Sequence, residues 1–326
     1  MKRCVAMLLI LAVVLSGCSA APAKTTGTGY YFDTVVTLTL YGAPEGMMEQ
    51  LWQACARYEQ LLSRTLPGSD VDRINRAGGE SVTVDAETWQ LLQCARELSA
   101  ATDGAFSVTI APMSALWDFT GDAPRIPAEA ALQAAIPLVD DSRIQLGEGN
   151  TVSLPAGMQI DLGGIAMGYI ADRLAELLRG QVSGAILNFG GNVYVLGTKP
   201  DGSAFRVGVA DPDDAASGAA ILTVQDTSVV TSGTYQRCFT LDGESYHHIL
   251  DPQTGHPART GIRSATIVAE SSMTADALAT ACIVLGTEKA LALLQTLGLP
   301  GMLILEDGRI LMTEGMAEEY SVQLPG

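Results

Sequence analysis

The sequence predicts an α+β fold, in which mainly antiparallel sheets pack against helices in a two-lobed domain. Segments with strand-like alternation and segments with helical spacing follow each other along the chain of 326 residues, which is long enough for one large domain or roughly two of ~150 residues. Asp242-Gly243 and Asp307-Gly308 each join two apolar runs, a strong signal for an antiparallel hairpin. Because no Gly-, Pro- or Ser-rich linker divides residues 30–326, we expect them to form one such domain.

The elements of the first half follow from their spacing. Residues 35–40 alternate between two faces, which is typical of a strand. Met47 to Leu62 has helical spacing and places on one side Leu51, Ala54, Cys55, Tyr58 and Leu62. Further helices are predicted over 88–98, 128–135 and 170–178. The last presents Leu174, Leu177 and Leu178 on one face and is followed by Gly180, where a C-terminal cap is expected.

The second half is predicted to be richer in strands. Strands are expected at 185–189, 192–196, 205–209, 238–241, 245–250, 303–305 and 310–312. Thr274 is expected to cap a helix that runs to Leu285, and Thr287 a helix that ends near Gly298.

Composition excludes two classes of function. The chain is 48% hydrophobic and carries a formal net charge of −17, so it can bury a core but lacks the basic surface of a nucleic-acid-binding protein. We therefore expect no nucleic-acid partner. After residue 20 no run reaches about 18 uncharged apolar residues, which excludes a transmembrane bundle.

The N-terminus is typical of a bacterial lipoprotein. Lys2 and Arg3 precede an apolar run, and Leu-Ser-Gly-Cys closes it at Cys18. This pattern predicts a signal peptide over 1–17, lipidation of Cys18, and a flexible tether within 18–29. An ordinary cleaved signal or a short membrane anchor is the alternative. The mature protein is expected to be extracytoplasmic and anchored by its lipid to the bacterial cell membrane.

Four further cysteines, at positions 55, 94, 238 and 282, show no Cys-x-x-Cys or Cys/His ligand spacing, so the sequence does not support a zinc site. Buried thiols are favoured at Cys55, Cys94 and Cys282, and a disulfide remains an alternative in an oxidising compartment.

Four clusters carry chemical groups. The segment 160–169 changes from a strand-like end to glycines and a helix start, with Asp161 as an acceptor beside a turn that a ligand can approach closely. Asn188-Phe189-Gly190-Gly191-Asn192 joins two strands at a double glycine. A purely structural turn explains the first cluster equally well, and a plain hairpin turn is the favoured interpretation of the second.

The third cluster is the segment 231–235 together with 246–257, which holds all three histidines of the chain. Adjacent strand residues point to opposite faces, so His247 and His248 cannot both face one site. One of them is a candidate general base, and a polar surface position is the alternative for each.

The fourth cluster is a helix start at 274–280. Asp276 and Thr280 are four residues apart and share one helical face, and such hard oxygens suit Mg²⁺. The alternative is an Asp that favours the helix dipole and a Thr that bonds back to its own helix.

The four clusters, in this order, resemble the ApbE family, the FAD:protein FMN transferases, in which a lipoprotein signal is also common. The resemblance extends over nearly the whole mature chain. It also runs through Tyr31-Phe32-Asp33-Thr34 and the segments 62–75, 104–112 and 116–119.

The resemblance implies an enzyme that binds FAD, uses Mg²⁺ to polarise the diphosphate, and transfers FMN to a Thr or Ser hydroxyl of another protein with release of AMP. It implies that Asp276, Thr280 and the backbone carbonyl of Gly164 bind the metal, and that His248 deprotonates the acceptor hydroxyl. The residues that it places against FAD are Phe32, Thr65, Ala105, Phe106, Ser107, Asp161 and Met167.

The sequence departs from the family at three of these positions. Met167 stands where Lys, or in some members Glu, is usual, Ser107 replaces a common Asp, and Phe32-Asp33 stands where many members have Met-Gly. The expected partner is a flavin-acceptor protein of a membrane electron-transport complex. The alternatives are a Mg²⁺-dependent FAD pyrophosphatase that yields FMN and AMP, and a noncatalytic flavin-binding lipoprotein.

Overall fold

The computed structural model describes residues 22–119, 124–214 and 217–325. Its strands are β1 (Lys24–Tyr31), β2 (Thr34–Tyr41), β3 (Val82–Thr83), β4 (Gln145–Gly147), β5 (Thr151–Ser153), β6 (Gly184–Phe189), β7 (Asn192–Gly197), β8 (Phe205–Ala210), β9 (Gly218–Val224), β10 (Thr227–Gly233), β11 (Cys238–Leu241), β12 (Glu244–His247), β13 (Ile262–Ala269), β14 (Gly301–Leu305) and β15 (Ile310–Met312). Its α-helices are α1 (Met47–Leu62), α2 (Asp70–Arg76), α3 (Ala86–Ala101), α4 (Ala111–Trp117), α5 (Glu129–Ala135), α6 (Ala166–Leu178), α7 (Ser272–Leu285), α8 (Thr287–Leu297) and α9 (Met316–Glu319).

The central element is an eight-stranded sheet in the order β1-β2-β6-β7-β10-β13-β14-β15. All of its neighbouring strands are antiparallel. Smaller sheets are formed by β3-β5-β4, by β8-β9 and by β11-β12. The predicted α+β class with mainly antiparallel sheets is confirmed.

The helices form two groups on the sheet. Helices α1, α3 and α6 share one hydrophobic core with β2 and β6, whereas α7 and α8 share another with β13 and β14. The hairpin β8-β9 packs with β14 in a third cluster. Helix α7 also contributes Ala277 and Ala281 to the first core, so the two groups meet at this helix, and the two lobes stay a prediction.

Hydrophobic periodicity explains the first of these cores. In β2 the side chains of Val36, Leu38 and Leu40 are fully buried, as the alternation predicts. Helix α1 has the predicted bounds and buries four of the five predicted residues, whereas Ala54 is only partly buried. The prediction for Leu177 in α6 is wrong, because this side chain is 52% exposed while its neighbour Leu178 is buried.

The chain before β2 is more ordered than predicted. The tether expected within 18–29 is wrong from Lys24 onward, because residues 24–31 pair with β2 in continuous register. Two glycines permit this pairing, since a Cβ at Gly27 or Gly29 would lie 3.0 or 3.1 Å from the Trp52 ring. The predicted signal peptide and Cys18 lie outside the described residues.

Several boundaries also differ from the sequence prediction. Helix α6 begins at Ala166 rather than Ile170. Helix α7 is capped by Ser271, whose hydroxyl accepts from the Thr274 amide at 3.2 Å, so Thr274 lies inside the helix. Helix α8 is preceded by Gly286 as its N-terminal cap, and the strand predicted over 245–250 ends at His247.

Both Asp-Gly hairpins are present. Asp242 and Gly243 have φ angles of 52° and 83° and connect β11 to β12, and Asp307-Gly308 connects β14 to β15. In the described ranges no helix combines the length and the apolar character needed to cross a membrane. The predicted burial holds for Cys55 and Cys282, whereas Cys94 is half-buried, Cys238 is exposed, and all four thiols are free.

Candidate active site

A cavity of about 570 Å³ opens at one end of the central sheet. The β1-β2 and β6-β7 turns and the end of β10 meet there, because the antiparallel register brings these points to the same edge. Every residue predicted to act in catalysis, in FAD binding or in metal binding lines this cavity, namely Phe32, Thr65, Ala105, Phe106, Ser107, Asp161, Gly164, Met167, His248, Asp276 and Thr280. The structure therefore brings together groups that are up to 248 positions apart in the chain (280 minus 32).

Asp276 and Thr280 form an oxygen-rich corner of the cavity. Asp276 is 5% exposed, and its Oδ2 accepts from the Gly168 amide at 3.0 Å. Thr280 Oγ1 lies 3.3 Å from Ser232 Oγ, and a Cβ at Gly164 would lie 3.8 Å from the same oxygen. Because α7 begins at Ser272, Asp276 lies in the second turn, where the helix dipole is a weak reason for an acidic residue.

The ionised form of Asp276 is unfavourable in this corner. Burial raises the pKa of its carboxyl to about 7, and the hydrogen bond from Gly168 opposes the rise. No ion pair to Asp276 is formed by the described residues. A buried carboxylate without a cationic partner fits a divalent cation better than it fits a purely structural role.

The set of donors also matches a hard cation. The described residues contain no group of three or more His, Cys, Asp and Glu side chains that could hold a metal ion. The ligands at this corner would therefore be one carboxylate, one hydroxyl and a backbone carbonyl. Such a set suits Mg²⁺ when substrate oxygens and water complete the coordination.

His248 lines the same cavity, just beyond the end of β12. Its Nδ1 lies 3.1 Å from the Gln236 carbonyl, which can only accept, so Nδ1 carries the proton and Nε2 has a free lone pair. Burial is the main cause that lowers the pKa of His248 to about 4, and the nearby Arg237 lowers it further. The imidazole is therefore neutral near pH 7, as a general base requires.

The other two histidines have different surroundings. His247 is 8% exposed, and its Nε2 lies 3.0 Å from the Ala258 carbonyl. His256 is exposed and pairs with Glu129 at 3.1 Å. The prediction that His247 and His248 face different surroundings is confirmed.

The turn between β1 and β2 borders the cavity in an unusual conformation. Phe32 and Asp33 have φ angles of 52° and 56°, a left-handed region that is costly for residues other than Gly, Asn and Asp. The Phe32 amide donates to Glu59 Oε1 at 2.8 Å. Thr34 packs closely on Gly190, because a Cβ atom added at Gly190 would lie only 2.1 Å from Oγ1 of Thr34. These contacts fix the turn that places Phe32 in the lining of the cavity.

Ser107 and Asp161, two of the residues predicted to contact FAD, already form polar interactions within the chain. Ser107 Oγ donates to Asp141 Oδ1 at 2.6 Å, which fixes the loop before α4. Asp161 accepts from the Gly163 amide at 2.9 Å and pairs with Arg64 Nε at 3.2 Å. Asp161 therefore orders the glycine turn that leads to Gly164 and places a guanidinium at the cavity.

The sequence prediction missed several residues of the cavity. Arg64 and Arg237 are its two arginines, and Asn192 and Ser232 approach the oxygen-rich corner. Arg237 forms no hydrogen bond or ion pair with the described part of the chain. All four lie within or beside segments singled out by motif, but the motifs do not indicate which of their side chains face inward.

Comparisons with known proteins agree with this architecture. The model of the ApbE family matches residues 32–303. An FAD:protein FMN transferase from Treponema pallidum is 36% identical over 84% of this chain and 81% of its own length, and one from Klebsiella pneumoniae is 38% identical over 80% and 82%.

Solved structures give the same result. The ApbE protein of Thermotoga maritima superposes with a TM-score of 0.85 at 33% identity, covering 90% of this chain and 97% of its own. The flavinyl transferase ApbE of Pseudomonas stutzeri gives a TM-score of 0.82 at 28% identity, with 92% and 97% covered. The chain belongs to the ApbE family.

Proposed function

We propose that this protein is an FAD:protein FMN transferase that moves FMN from FAD to a Thr or Ser hydroxyl of another protein and releases AMP. The observation that carries this proposal is the cavity itself. It combines a buried oxygen corner for a cation with a neutral imidazole whose Nε2 is free. Relatives that bear the name FAD:protein FMN transferase support the same activity.

The proposed reaction is a phosphoryl-type transfer. The acceptor oxygen forms a bond to the phosphorus of the FMN half, and the bond from that phosphorus to the bridging oxygen of the diphosphate breaks. AMP leaves with the electron pair, and the hydroxyl proton passes to Nε2 of His248. The hydrogen bond to Gln236 keeps Nδ1 protonated and thereby orients the ring for this step.

Asp276, Thr280 and the Gly164 carbonyl would hold Mg²⁺. When bound, the ion neutralises charge on the diphosphate oxygens. The chain itself orients these ligands through the Gly168 amide and the contact between Thr280 and Ser232. Phe106, Met167 and Phe189 contribute apolar surface to the lining of the cavity.

FAD binding is proposed to use the residues that line the remaining cavity. They are Phe32, Thr65, Ala105, Phe106, Ser107, Asp161 and Met167. Met167 supplies no charge at its position. Arg64 and Arg237 are the cations that the cavity offers to an anionic substrate.

We also propose an extracytoplasmic location, with a lipid on Cys18 that holds the protein at the bacterial membrane. The sequence of the N-terminus supports this location, and a flavin-acceptor protein of a membrane electron-transport complex is the partner that it favours.

Mass spectrometry tests the proposal. The purified protein is incubated with FAD, Mg²⁺ and an extracytoplasmic flavoprotein domain, while AMP is measured in the same tube. We expect an FMN adduct on one Thr or Ser, lost when Mg²⁺ is chelated. AMP without an adduct in a panel of acceptor domains would indicate FAD hydrolysis instead. FAD binding with neither product would indicate a noncatalytic flavin-binding protein.

A further inference from the structure

A chain of buried hydroxyl groups ends at the oxygen-rich corner. Ser228 on β10 and Ser272 at the start of α7 are both fully buried, and their hydroxyl oxygens lie 2.8 Å apart. Ser272 Oγ lies 2.6 Å from Oδ1 of Asn192, the first residue of β7, which is 3% exposed. This chain links the central sheet, helix α7 and the cavity.

The direction of the hydrogen bonds fixes the orientation of the Asn192 amide. Ser228 Oγ donates to Ser272 Oγ at 2.8 Å and has a second, longer hydrogen bond of 3.3 Å to the Val193 carbonyl. The Ser272 proton is then directed to the amide oxygen of Asn192. Asn192 Nδ2 must consequently point away from Ser272.

Nδ2 of Asn192 is a donor that the described residues leave unsatisfied. It is buried and has no hydrogen-bond partner among the described residues. Asp276 lies one turn of α7 beyond Ser272 on the same face of the helix, so the amide that is bound to Ser272 has its Nδ2 on the side of the Asp276 carboxylate. A buried donor without an acceptor costs about 1–3 kcal/mol, so the fold tolerates it only where it meets another requirement.

The Asp276 carboxylate is thus approached by two donors from the protein side. The Gly168 amide binds Oδ2 at 3.0 Å, and the Asn192 amide approaches from Ser272, one helical turn before Asp276, in the lining of the same cavity. Donors on one side of a carboxylate limit its rotation and leave the other lone pairs to face the cavity. Groups that hold a metal ligand in this way raise metal affinity without touching the ion.

We infer that Asn192 is a positioning residue for the cation, which holds the Asp276 carboxylate in its ligating orientation and is itself held by Ser272 and Ser228. This inference rests on the proposed function, since it assumes that Asp276 binds the ion. It assigns no direct contact between Asn192 and the metal. The inference requires that Ser272 affects metal binding only through Asn192. Metal affinities of single and double variants test this requirement.

Mn²⁺ binding provides that test, because the loss of the free-ion EPR signal reports affinity without turnover. The full chain is titrated with Mn²⁺ in the presence of FAD and in the absence of an acceptor protein. Asn192→Leu, which keeps the side-chain volume and removes the amide, is expected to weaken binding about 10-fold. Ser272→Ala, which frees the amide to rotate, is expected to weaken it by a smaller factor.

The double variant gives the decisive comparison. If Ser272 acts only through Asn192, then adding Ser272→Ala to Asn192→Leu will cause no further loss. Ser264→Ala is the matched control, since Ser264 is also fully buried but its hydroxyl has no partner. It is expected to leave Mn²⁺ affinity unchanged. Circular dichroism checks that each variant is folded, and Ser272→Ala tests the same point if Asn192→Leu does not fold.

Two results would overturn the inference. Wild-type Mn²⁺ affinity in folded Asn192→Leu and Ser272→Ala would show that the amide does not position the ligand. Losses that add in the double variant would show that Ser272 acts by another route. Absence of Mn²⁺ binding in the wild-type protein would instead overturn the metal site on which the inference rests, so the two failures are distinguishable.

Discussion

The two reactive parts of the cavity are held in place in different ways. Asp276 lies on a helix packed against α6 and the sheet, is 5% exposed, and receives a backbone hydrogen bond from Gly168. His248 follows the hairpin of β11 and β12. Among the described strands these two form a sheet of their own, and one backbone carbonyl, that of Gln236, holds the His248 ring. The oxygen-rich corner is therefore built into the core, whereas the proposed base depends on local structure.

This difference predicts separable defects. Changes around Asp276 are expected to alter metal binding and folding together, because the same packed contacts serve both. Changes around His248 are expected to alter the transfer step while the fold and FAD binding persist. The predictions below test this separation.

The largest effect is expected for Asp276→Ala. Loss of a ligand that supplies several kcal/mol of charge stabilisation should lower Mg²⁺-dependent AMP release about 1,000-fold. The measurement is AMP production by chromatography, with Asp201→Ala, an exposed loop carboxylate, as the control. Full activity in Asp276→Ala would exclude the metal assignment.

His248→Ala should lower transfer about 100-fold or more, because a general base contributes about 10²–10⁴. FAD affinity, measured by flavin fluorescence, should change little. His256→Ala is the control, since that ring is exposed and pairs with Glu129. Equal loss of FAD binding and transfer would identify His248 as a binding residue and remove the contrast between the two parts of the cavity.

Gly168→Ala tests the packing of α6 against α7 beside the oxygen-rich corner. A Cβ at Gly168 would lie 2.3 Å from the Ser272 backbone carbonyl, so α6 and α7 must move apart. We expect a loss of about 1–3 kcal/mol in the free energy of unfolding. Mn²⁺ binding should weaken as well.

Gly208→Ala is the matched control, because a Cβ there meets no atom within 4 Å. Urea denaturation of both variants measures the difference. Unchanged stability in Gly168→Ala would show that the junction of the two helices adapts more easily than the contacts imply.

The smallest effect concerns the titration of His248. Since its pKa is lowered to about 4, the ring is neutral above that pH, and base catalysis should be lost only as the pH falls through about 4. Burial is the main cause and the Arg237 charge the second, with His247 contributing further. Arg237→Gln should therefore raise the pKa modestly toward its ordinary value.

NMR titration of the ring protons measures this pKa directly, in wild type and in the variant. A wild-type midpoint near 6.5, the usual value, would show that the ring is solvated and that the hairpin does not shield it.

Local patterns predicted the elements that have one buried face. The alternation in β2 and the spacing in α1 identified both elements, and Asp242-Gly243 identified a hairpin with positive φ at both turn residues. Strand β13 was missed, because seven of its eight residues are buried and a strand covered on both sides shows no alternation. The cap at Ser271 was missed because three hydroxyl residues, Ser271, Ser272 and Thr274, lie at the helix start and each can serve as a cap.

The site was predictable only in part. The residues that line the cavity were predicted from resemblance to a family, and no local pattern brings His248 to Asp276. Asn192 and Arg237 were not predicted, because their significance depends on contacts that exist only in the folded chain. The hydroxyl chain from Ser228 joins three elements and has no signature within any one of them.

Strand β1 also separates the N-terminal end of the described chain from the rim of the cavity. Its eight residues run from Lys24, six positions after Cys18, to the turn at Phe32 on the rim of the cavity. At a rise of about 3.3 Å per residue, the strand places that rim about 25 Å from its own first residue. A lipid on Cys18 would thus tether the molecule by the end of the sheet remote from the chemistry.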